Sequence, residues 1–290
     1  MESGEVGHTL TDLGETAARR ALTAAGKTAG EVDLVVMGTA TPDMLMPATV
    51  NLIADRLGID GVPTFQLQSG CSGAVQALEI AGRLMSTGRY RTALVLGGDV
   101  SARHYDLRVD VRTLSPAEVV NVVLFGDGAG AAVLGVEPTA DSVAVRTVFT
   151  RLTGLGREPG QVIRWFGLAD RGHEQAAGAE DYKMIEESVP AMSEEILKEL
   201  LDEAGWTSSE VDYLLPPQLS GRMTRKIVDR LGVPGATEVS CVSEVGNNGN
   251  ALVFFQLERA LAAMGRGERA VGIAVESSKW IKAGFALEKV

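Results

Sequence analysis

The stretch AGKTAGEVDLVV (25–36) returns later in the chain as AGWTSSEVDYLL (204–215), with six of twelve positions identical. A second pair follows in the same order, because IADRLGI (53–59) matches IVDRLGV (227–233) at five of seven positions. Two ordered matches at nearly constant separation indicate an internal duplication. In the first copy the apolar, β-branched run predicts a buried strand. We therefore predict that the chain consists of two copies of one α/β unit.

The sequence around these repeats alternates between helical and strand patterns. Residues 10–25 place apolar side chains three and four positions apart, which predicts an amphipathic helix. AVQALEIAGRLMSTG (74–88) predicts another helix, and TALVLGG (92–98) predicts a buried strand. Helices that alternate with short apolar strands are typical of layered α/β proteins. The predicted fold class is α/β.

The segment between the two copies has a different composition. Residues 138–185 are rich in glycine and charge and show little periodicity, which predicts a lid or a set of loops around a pocket. We therefore divide the chain into a first half (1–137), an insertion (138–185) and a second half (186–290).

Charge and hydropathy exclude several classes of function. The formal net charge of −11 argues against nucleic acid or an anionic membrane as the main partner, since both require a basic surface. No apolar run approaches the roughly 20 residues that span a bilayer, and the first residues do not form a signal peptide. Two distant cysteines do not form a disulfide framework. We expect a cytoplasmic protein with reduced thiols.

Cys71 is the candidate nucleophile. It lies in QLQSGCSGAVQAL (66–78), between a predicted strand and a predicted helix. A sulfur at a helix N-terminus is favoured as a thiolate, and flanking glycines allow an acyl carbonyl to approach backbone N–H donors. Such a cysteine serves covalent acyl transfer. The alternative is a small buried apolar residue, and the local pattern alone leaves both open.

Several motifs, in one order, resemble the type III β-ketoacyl-acyl-carrier-protein synthases of the thiolase superfamily. The resemblance covers about residues 10–290, and FGDGAGA together with the cysteine turn is its most specific part. The motifs are TATPD (39–43), SGCSGA (69–74), GGDVSAR (97–103), FGDGAGAAVL (125–134), YKMIEE (182–187), LLPPQLSGRM (214–223) and GNNGNA (246–251). The resemblance implies a thiolase fold, with duplicated halves in α-β-α-β-α layers, and an acyl thioester on Cys71.

The family's catalytic set of Cys, His and Asn is incomplete. Asn247 matches the family's asparagine turn, but Pro217 stands where the V-P-H-Q-A-N motif carries its histidine. In the family, the histidine and asparagine donate hydrogen bonds to the enolate that forms as malonyl loses carbon dioxide. Loss of one such donor costs about two to three orders of magnitude in rate, and proline has no donor. The resemblance therefore implies acylation of Cys71 without efficient decarboxylative condensation.

Other histidines offer alternatives to the missing one. His104 follows GGDVSAR and His173 lies in the insertion, and both are candidates for a catalytic role beside the simpler surface or structural one. Relative to the family, the segment before the first helix, with the first strand of the first half, is missing. Either the chain is recorded short or another element fills that place.

The resemblance also implies weaker assignments. Ser278 in VESSKW (275–280) is the nearest match to the loop that supplies a backbone oxyanion donor, together with the N–H of Cys71. A basic helix after the altered motif is expected either to face an acidic carrier protein or to be solvated. The carrier-docking candidates are Arg222, Arg225 and Lys226, and the pocket candidates are Trp165, Phe166 and Trp280.

We expect an enzyme, an acyltransferase of fatty-acid or polyketide metabolism, that passes the acyl group from Cys71 to an oxygen, nitrogen or sulfur nucleophile or to a carrier. One alternative is carbon–carbon condensation with an unusual proton donor. Another is a catalytically silent subunit that binds acyl chains. We expect acyl-CoA or an acyl carrier protein as partner and a second copy of the chain in a homodimer. No metal or cofactor is expected, since the acyl thioester is a substrate.

Overall fold

The computed structural model describes residues 7–104, 110–114, 119, 123–139, 142–165 and 178–290. The described residues of the first half form the strands β1 (Leu34–Thr39), β2 (Thr64–Gln68), β3 (Thr92–Asp99) and β4 (Gly128–Gly135). Their order in the sheet is β2-β1-β3-β4, with β4 antiparallel to β3. Its helices are α1 (Leu10–Ala24), α2 (Thr49–Leu57) and α3 (Gly73–Met85).

The second half repeats this order. A five-stranded sheet has the order β5-β11-β10-β8-β9. Its strands are β5 (Val143–Leu152), β8 (Tyr213–Leu215), β9 (Thr237–Glu238), β10 (Arg269–Glu276) and β11 (Ile281–Lys289). A small hairpin joins β6 (Gln161–Ile163) to β7 (Gly178–Glu180). The helices are α4 (Tyr182–Ala204), α5 (Gly221–Leu231), α6 (Val242–Val245) and α7 (Leu252–Ala263).

The predicted duplication is confirmed in detail. Thr28 and Glu31 form a capping box on a short 3₁₀ turn, and Thr207 and Glu210 form the same capping box in the second copy. The second pair of repeats ends α2 and α5 at glycines in the left-handed region. Identical residues therefore make identical caps and turns in the two halves.

Burial divides the strands between three apolar layers. In β1, Leu34 and Val36 pack against the helices α3 and α7 between the two sheets, whereas Val35 and Met37 face α1 and α2. In β10, Val271 and its outward neighbours pack on α4 and α5. Alternate side chains of a buried strand point to opposite faces. The layers are thus α-β-α-β-α, as the thiolase fold requires.

The prediction that residues 138–185 form a lid or a set of loops is wrong for one part of that segment. Residues 143–152 form β5, which pairs antiparallel with β11 along its whole length. Four of its ten positions are exposed, Val145, Arg146, Arg151 and Leu152, as expected for an outer strand. Among the described residues, β5 has no counterpart in the first sheet, where the equivalent place is the outer edge of β4. The boundaries at 138 and 185 stay a prediction.

Candidate active site

The turn that carries Cys71 connects β2 to the N-terminus of α3. Ser72 is the N-cap residue of α3, and the N–H of Gly73 donates to the carbonyl of Gly70 at 2.9 Å. A Cβ on Gly70 would lie 2.4 Å from both carboxylate oxygens of Glu276, and one on Gly73 would lie 2.6 Å from Asn250 Oδ1. The two glycines therefore make room for side chains of the second half.

Asn247 lies at the corresponding turn of the second half. A bridge with Phe125 holds its backbone, because Asn247 N–H donates to Leu124 O at 2.9 Å and Gly126 N–H donates to Asn247 O at 3.0 Å. Its Oδ1 accepts from Gly249 N–H at 3.1 Å. No other described residue bonds its Nδ2 donor, and the side chain lines the same cavity as Cys71. This amide is placed to donate to a bound thioester.

Asp99 fastens the asparagine turn to the first half. Asp99 is buried at the end of β3. Its Oδ2 accepts hydrogen bonds from the backbone N–H and the Nδ2 of Asn250, at 2.8 and 2.9 Å. Asn250 Oδ1 in turn accepts from Ala74 N–H on α3 at 2.8 Å. The hydrogen bonds run from the nucleophile helix through Asn250 to Asp99, and they set the position of Asn247 relative to Cys71.

Cys71 and Asn247 open on a cavity of about 380 Å³ between the halves. Much of its wall is apolar, which suits an acyl chain. The apolar lining includes Ile185, Val189, Leu252, Val253 and Ile273, and the polar lining includes Gln161, Glu180 and Tyr182. Arg222 and Lys226 also line the cavity from α5, and both are exposed. Positive charge at this position suits a phosphate or an acidic carrier protein.

Pro217 forms part of this wall where the family motif has its histidine. It presents no donor to the cavity, and its carbonyl accepts from the buried hydroxyl of Thr224 at 3.3 Å. Beside it, Gln218 Oε1 accepts from the N–H groups of Cys241 and Val242 at 2.6 and 2.7 Å. Gln218 Nε2 is buried without a hydrogen-bond partner among the described residues.

The electrostatic surroundings of Cys71 contradict the expected thiolate. Burial raises the pKa of the Cys71 thiol far above its usual value, and the negative charges of Glu276, Asp99 and Glu180 raise it further. The helix N-terminus is present as predicted, but burial and the three carboxylates oppose its effect on the thiol pKa. These surroundings favour the protonated thiol, whose acylation would require a proton acceptor.

Glu276 is the first of these carboxylates. It is 1% exposed at the end of β10, and burial raises its pKa, against hydrogen bonds from Ser278 and from the N–H of Ser72 at 3.4 Å. Both the side chain and the backbone N–H of Ser278 bond this carboxylate. The backbone donor predicted for the oxyanion therefore bonds Glu276 in this structure, and its role toward an acyl group stays a prediction.

Replacing Glu276 by glutamine is expected to make Cys71 more reactive. The variant removes one negative charge next to the sulfur, so the pKa of the thiol falls and the thiolate fraction rises at a given pH. We expect alkylation by iodoacetamide at pH 8 to be about tenfold faster, which corresponds to about one pKa unit. Glu187→Gln, which removes an exposed charge from α4, is the matched control. An unchanged rate in Glu276→Gln would contradict this electrostatic account.

Two of the three predicted pocket residues, Trp165 and Trp280, do not form the cavity wall. Trp280 lies fully buried in the core instead, with its Nε1 donating to Glu158 O at 2.7 Å and Arg157 stacked on its ring. Its large ring is accommodated in this core because Gly160 leaves space beside it. Trp165 is 43% exposed and does not line the cavity. Phe166 lies outside the described residues.

Of the other residues singled out from the sequence, none of the following four lines the cavity in the described part of the chain. His104 does not line the cavity, and its Nε2 is buried beside the ring of Trp165 without a partner in the described part of the chain. His173 lies outside the described residues. Arg225 does not line the cavity, unlike its two basic neighbours on α5. Cys241 is completely buried, as predicted.

Sequence reasoning missed Glu180, Glu276 and the Asp99–Asn250 pair. Glu276 had one signal, a carboxylate directly after the apolar run AVGIAV (270–275). A charge at the end of a buried strand is unusual enough to mark a site. In the described part of the chain, no group of three His, Cys, Asp or Glu residues forms a metal site. Nor does any described helix have the length and apolar character of a membrane span.

Comparison with known proteins agrees with this geometry. The model of 3-oxoacyl-(acyl-carrier-protein) synthase III matches residues 65–150, and the model of its C-terminal part matches residues 201–277. The acetoacetyl CoA synthase NphT7 of Streptomyces sp. strain CL190 is 35% identical over 87% of this chain and 75% of that protein. A β-ketoacyl-(acyl-carrier-protein) synthase III of Neisseria meningitidis is 31% identical over 95% of this chain and 81% of that protein.

Solved structures give the same result. AbyA1, described as a tetronic acid condensing enzyme, superposes with a TM-score of 0.96 and 63% identity over 99% of this chain and 85% of that one. The priming β-ketosynthase of the R1128 polyketide pathway superposes with a TM-score of 0.81 and 31% identity, covering 98% and 83% of the two chains. The chain belongs to the 3-oxoacyl-(acyl-carrier-protein) synthase III family of the thiolase superfamily, whose members are condensing transferases of fatty-acid and polyketide biosynthesis.

Proposed function

We propose that this chain holds an acyl group as a thioester on Cys71 and condenses it with a second, β-ketoacyl thioester to form a tetronic acid. Pro217 carries the proposal, because it removes the donor that decarboxylative condensation needs while Cys71 and Asn247 remain on one cavity. The 63% identity to a tetronic acid condensing enzyme supports the product class. The acyl group reaches Cys71 from CoA or from an acyl carrier protein.

The chemistry of the product explains why the histidine is dispensable. Tetronic acid is a five-membered lactone with an enolised ketone, so its assembly from two thioesters forms one carbon–carbon and one carbon–oxygen bond. The attacking carbon lies between two carbonyl groups and loses a proton instead of carbon dioxide. This step needs a base, whereas stabilisation of an enolate by two protein donors is less critical, because the β-ketone already delocalises the charge.

This proposal follows the alternative predicted from the sequence, carbon–carbon condensation, in place of transfer of the Cys71 acyl group to an oxygen, nitrogen or sulfur nucleophile. The Cys71 acyl group forms the carbon–carbon bond, and a hydroxyl on that acyl group then attacks the second thioester to close the ring. The first acyl unit is therefore an α-hydroxyacyl group. Asn247 Nδ2 and the N–H of Cys71 donate to the carbonyl oxygen that becomes negative during attack.

Cationic side chains on the cavity wall support delivery by a carrier. Arg222 and Lys226 lie on α5 at the cavity, and Lys226 pairs with Glu186 at 3.2 Å on the exposed surface. Exposed pairs of this kind contribute little to stability and exchange readily. We propose that these two cations, with Arg225 on the same helix, meet the phosphopantetheine phosphate or acidic residues of a carrier protein.

We also propose that the chain acts as a homodimer. β2 is an outer strand of the first sheet, and its Phe65 is 41% exposed. In the segment between β1 and α2, Leu45 and Met46 are 71% and 86% exposed. An outer strand is a site for pairing with a second copy, and exposed apolar side chains favour association. Multi-angle light scattering of the purified protein is expected to give twice the chain mass of 30.5 kDa, and a monomer would contradict this.

The function is tested with lactoyl-CoA and acetoacetyl-CoA as simple representatives of the two substrate classes. Intact-protein mass spectrometry is expected to show a lactoyl adduct on Cys71. Chromatography with mass spectrometry is expected to show the acetyl- and methyl-substituted tetronic acid, with release of both CoA molecules. An ordinary ketosynthase would form the adduct but no ring product. It would also release carbon dioxide when malonyl-CoA replaces acetoacetyl-CoA. No adduct on the folded protein would contradict catalysis altogether.

A further inference from the structure

Glu180 is the carboxylate that the cavity exposes to a substrate. It lines the cavity together with Cys71 and Asn247, whereas Glu276 and Asp99 are buried behind the wall. Glu180 lies close enough to Cys71 for its negative charge to raise the pKa of the thiol. Glu186 also lines the cavity, but it is exposed and paired with Lys226 at 3.2 Å. Glu180 has no such cationic partner among the described residues, and a carboxylate in a largely apolar cavity is unusual.

The fold holds Glu180 in a defined orientation. Gln161 and Glu180 are paired residues of the β6–β7 hairpin, and the amide of Gln161 donates to the carboxylate. The side chain of Tyr182, the first residue of α4, also bonds this carboxylate. Asp181, the residue after Glu180, is also held by two hydrogen bonds. Its N–H donates to Gly160 O at 2.8 Å, and its side chain caps α4 by accepting from Met184 N–H. Partners on both sides thus restrict the carboxylate to one position on the cavity wall.

We propose that Glu180 is the catalytic base of the condensation, a role separate from that of the hydrogen-bond donor that Pro217 removes. The inference rests on the function proposed above. Glu180 Oε takes the proton from the carbon between the two carbonyl groups of the β-ketoacyl thioester. The electron pair of that C–H bond forms the new bond to the acyl carbon on Cys71, and the C–S bond breaks. The sulfur leaves with its electron pair and takes the proton from the Glu180 carboxylic acid.

The surroundings of Glu180 suit a base. Burial raises the pKa of its carboxyl above the usual value, against the hydrogen bonds of Tyr182 and Gln161, which lower it. A carboxylate with a raised pKa accepts a proton from carbon more readily than a solvated one does. Asn247 serves the opposite end of the reaction, as the donor to the developing oxyanion. Glu180, in the insertion, thereby performs the proton transfer, and Asn247, in the second half, stabilises the oxyanion.

The test measures acylation and condensation separately in Glu180→Gln. Lactoyl-CoA alone reports acylation of Cys71, and acetoacetyl-CoA added to preacylated enzyme reports condensation. We expect acylation at the wild-type rate or faster, since a negative charge near the sulfur is removed, and condensation slower by about 10²- to 10⁴-fold. Glu187→Gln, which removes an exposed carboxylate of α4 outside the cavity, is expected to retain both rates.

Chemical rescue distinguishes a base from a structural residue. In Glu180→Ala, added formate is expected to restore part of the condensation rate, because a small carboxylate fills the vacated place. Chloride at equal ionic strength is not expected to restore it. Equal condensation rates in Glu180→Gln and wild type would overturn the role of Glu180, and so would parallel loss of acylation or failure of formate rescue. Absence of condensation in the wild-type enzyme would instead overturn the proposed function itself, so the two failures are distinguishable.

Discussion

Cys71→Ala is expected to abolish the acyl adduct and to lower product formation at least about 10⁴-fold, the largest effect on activity that we predict. Removal of a catalytic nucleophile typically has consequences of this size, since no neighbouring group replaces it. Cys241, the other thiol of the chain, is completely buried in the second half. The measurement is intact-protein mass spectrometry after incubation with lactoyl-CoA, followed by the product assay.

Cys241→Ala is the matched control for this experiment. It removes the same functional group from a completely buried site, so we expect some loss of stability and full retention of the adduct. Circular dichroism establishes that both variants are folded. An adduct that persists in Cys71→Ala would move the nucleophile elsewhere, and an adduct lost in folded Cys241→Ala would contradict the assignment as well.

Asp99→Asn is expected to have the largest effect on stability. The carboxylate is 4% exposed and accepts six hydrogen bonds, four at Oδ1 and two at Oδ2. An amide has the same shape, but its NH₂ group would face donors on whichever side it lies. Each buried donor left without an acceptor costs about 1–3 kcal/mol. With at least two donors affected, we therefore expect a loss of at least about 2 kcal/mol in the free energy of unfolding.

Thermal denaturation measures this effect. A loss of at least about 2 kcal/mol corresponds to a fall in Tm of at least about 3 °C for a chain of this size. Because Asp99 fastens Asn250, the variant is also expected to misplace the Asn247 amide and to slow catalysis in whatever fraction remains folded. Asp127→Asn is the control, since that exposed carboxylate accepts one backbone bond, from Ala102 N–H at 3.0 Å. Similar Tm values for both variants would contradict the account of Asp99.

Much of the fold follows from local patterns that occur twice. The capping boxes at Thr28 and Thr207 need only residues three positions apart, and the apolar runs that follow them are buried wherever a second layer exists. The strand β5 was not predictable in this way. Its exposed positions are adjacent pairs, so no alternation marks it as a strand, and its pairing with β11 joins segments more than a hundred residues apart.

The candidate site, too, contains residues that local sequence patterns identify and residues that only the folded structure identifies. Cys71, Asn247 and the replacement at Pro217 are recognisable because each lies in a short motif, where a few neighbouring letters determine the turn. Trp280 shows the limit of such reasoning. An aromatic residue after a loop is compatible with a pocket wall or a core, and only the packing of Gly160 and Arg157 on its ring decides for the core.

By itself, the sequence determined that two α/β units are joined, that Cys71 lies at a helix N-terminus, and that its histidine partner is replaced. Only the tertiary structure decided the charge around that sulfur. Glu276 is 204 residues from Ser72, whose N–H it meets, and Glu180 arrives through the β6–β7 hairpin. Electrostatic interactions depend on distance and burial, which no local pattern records. The helix dipole was readable from the letters, whereas the carboxylates that oppose it became visible only in the folded chain.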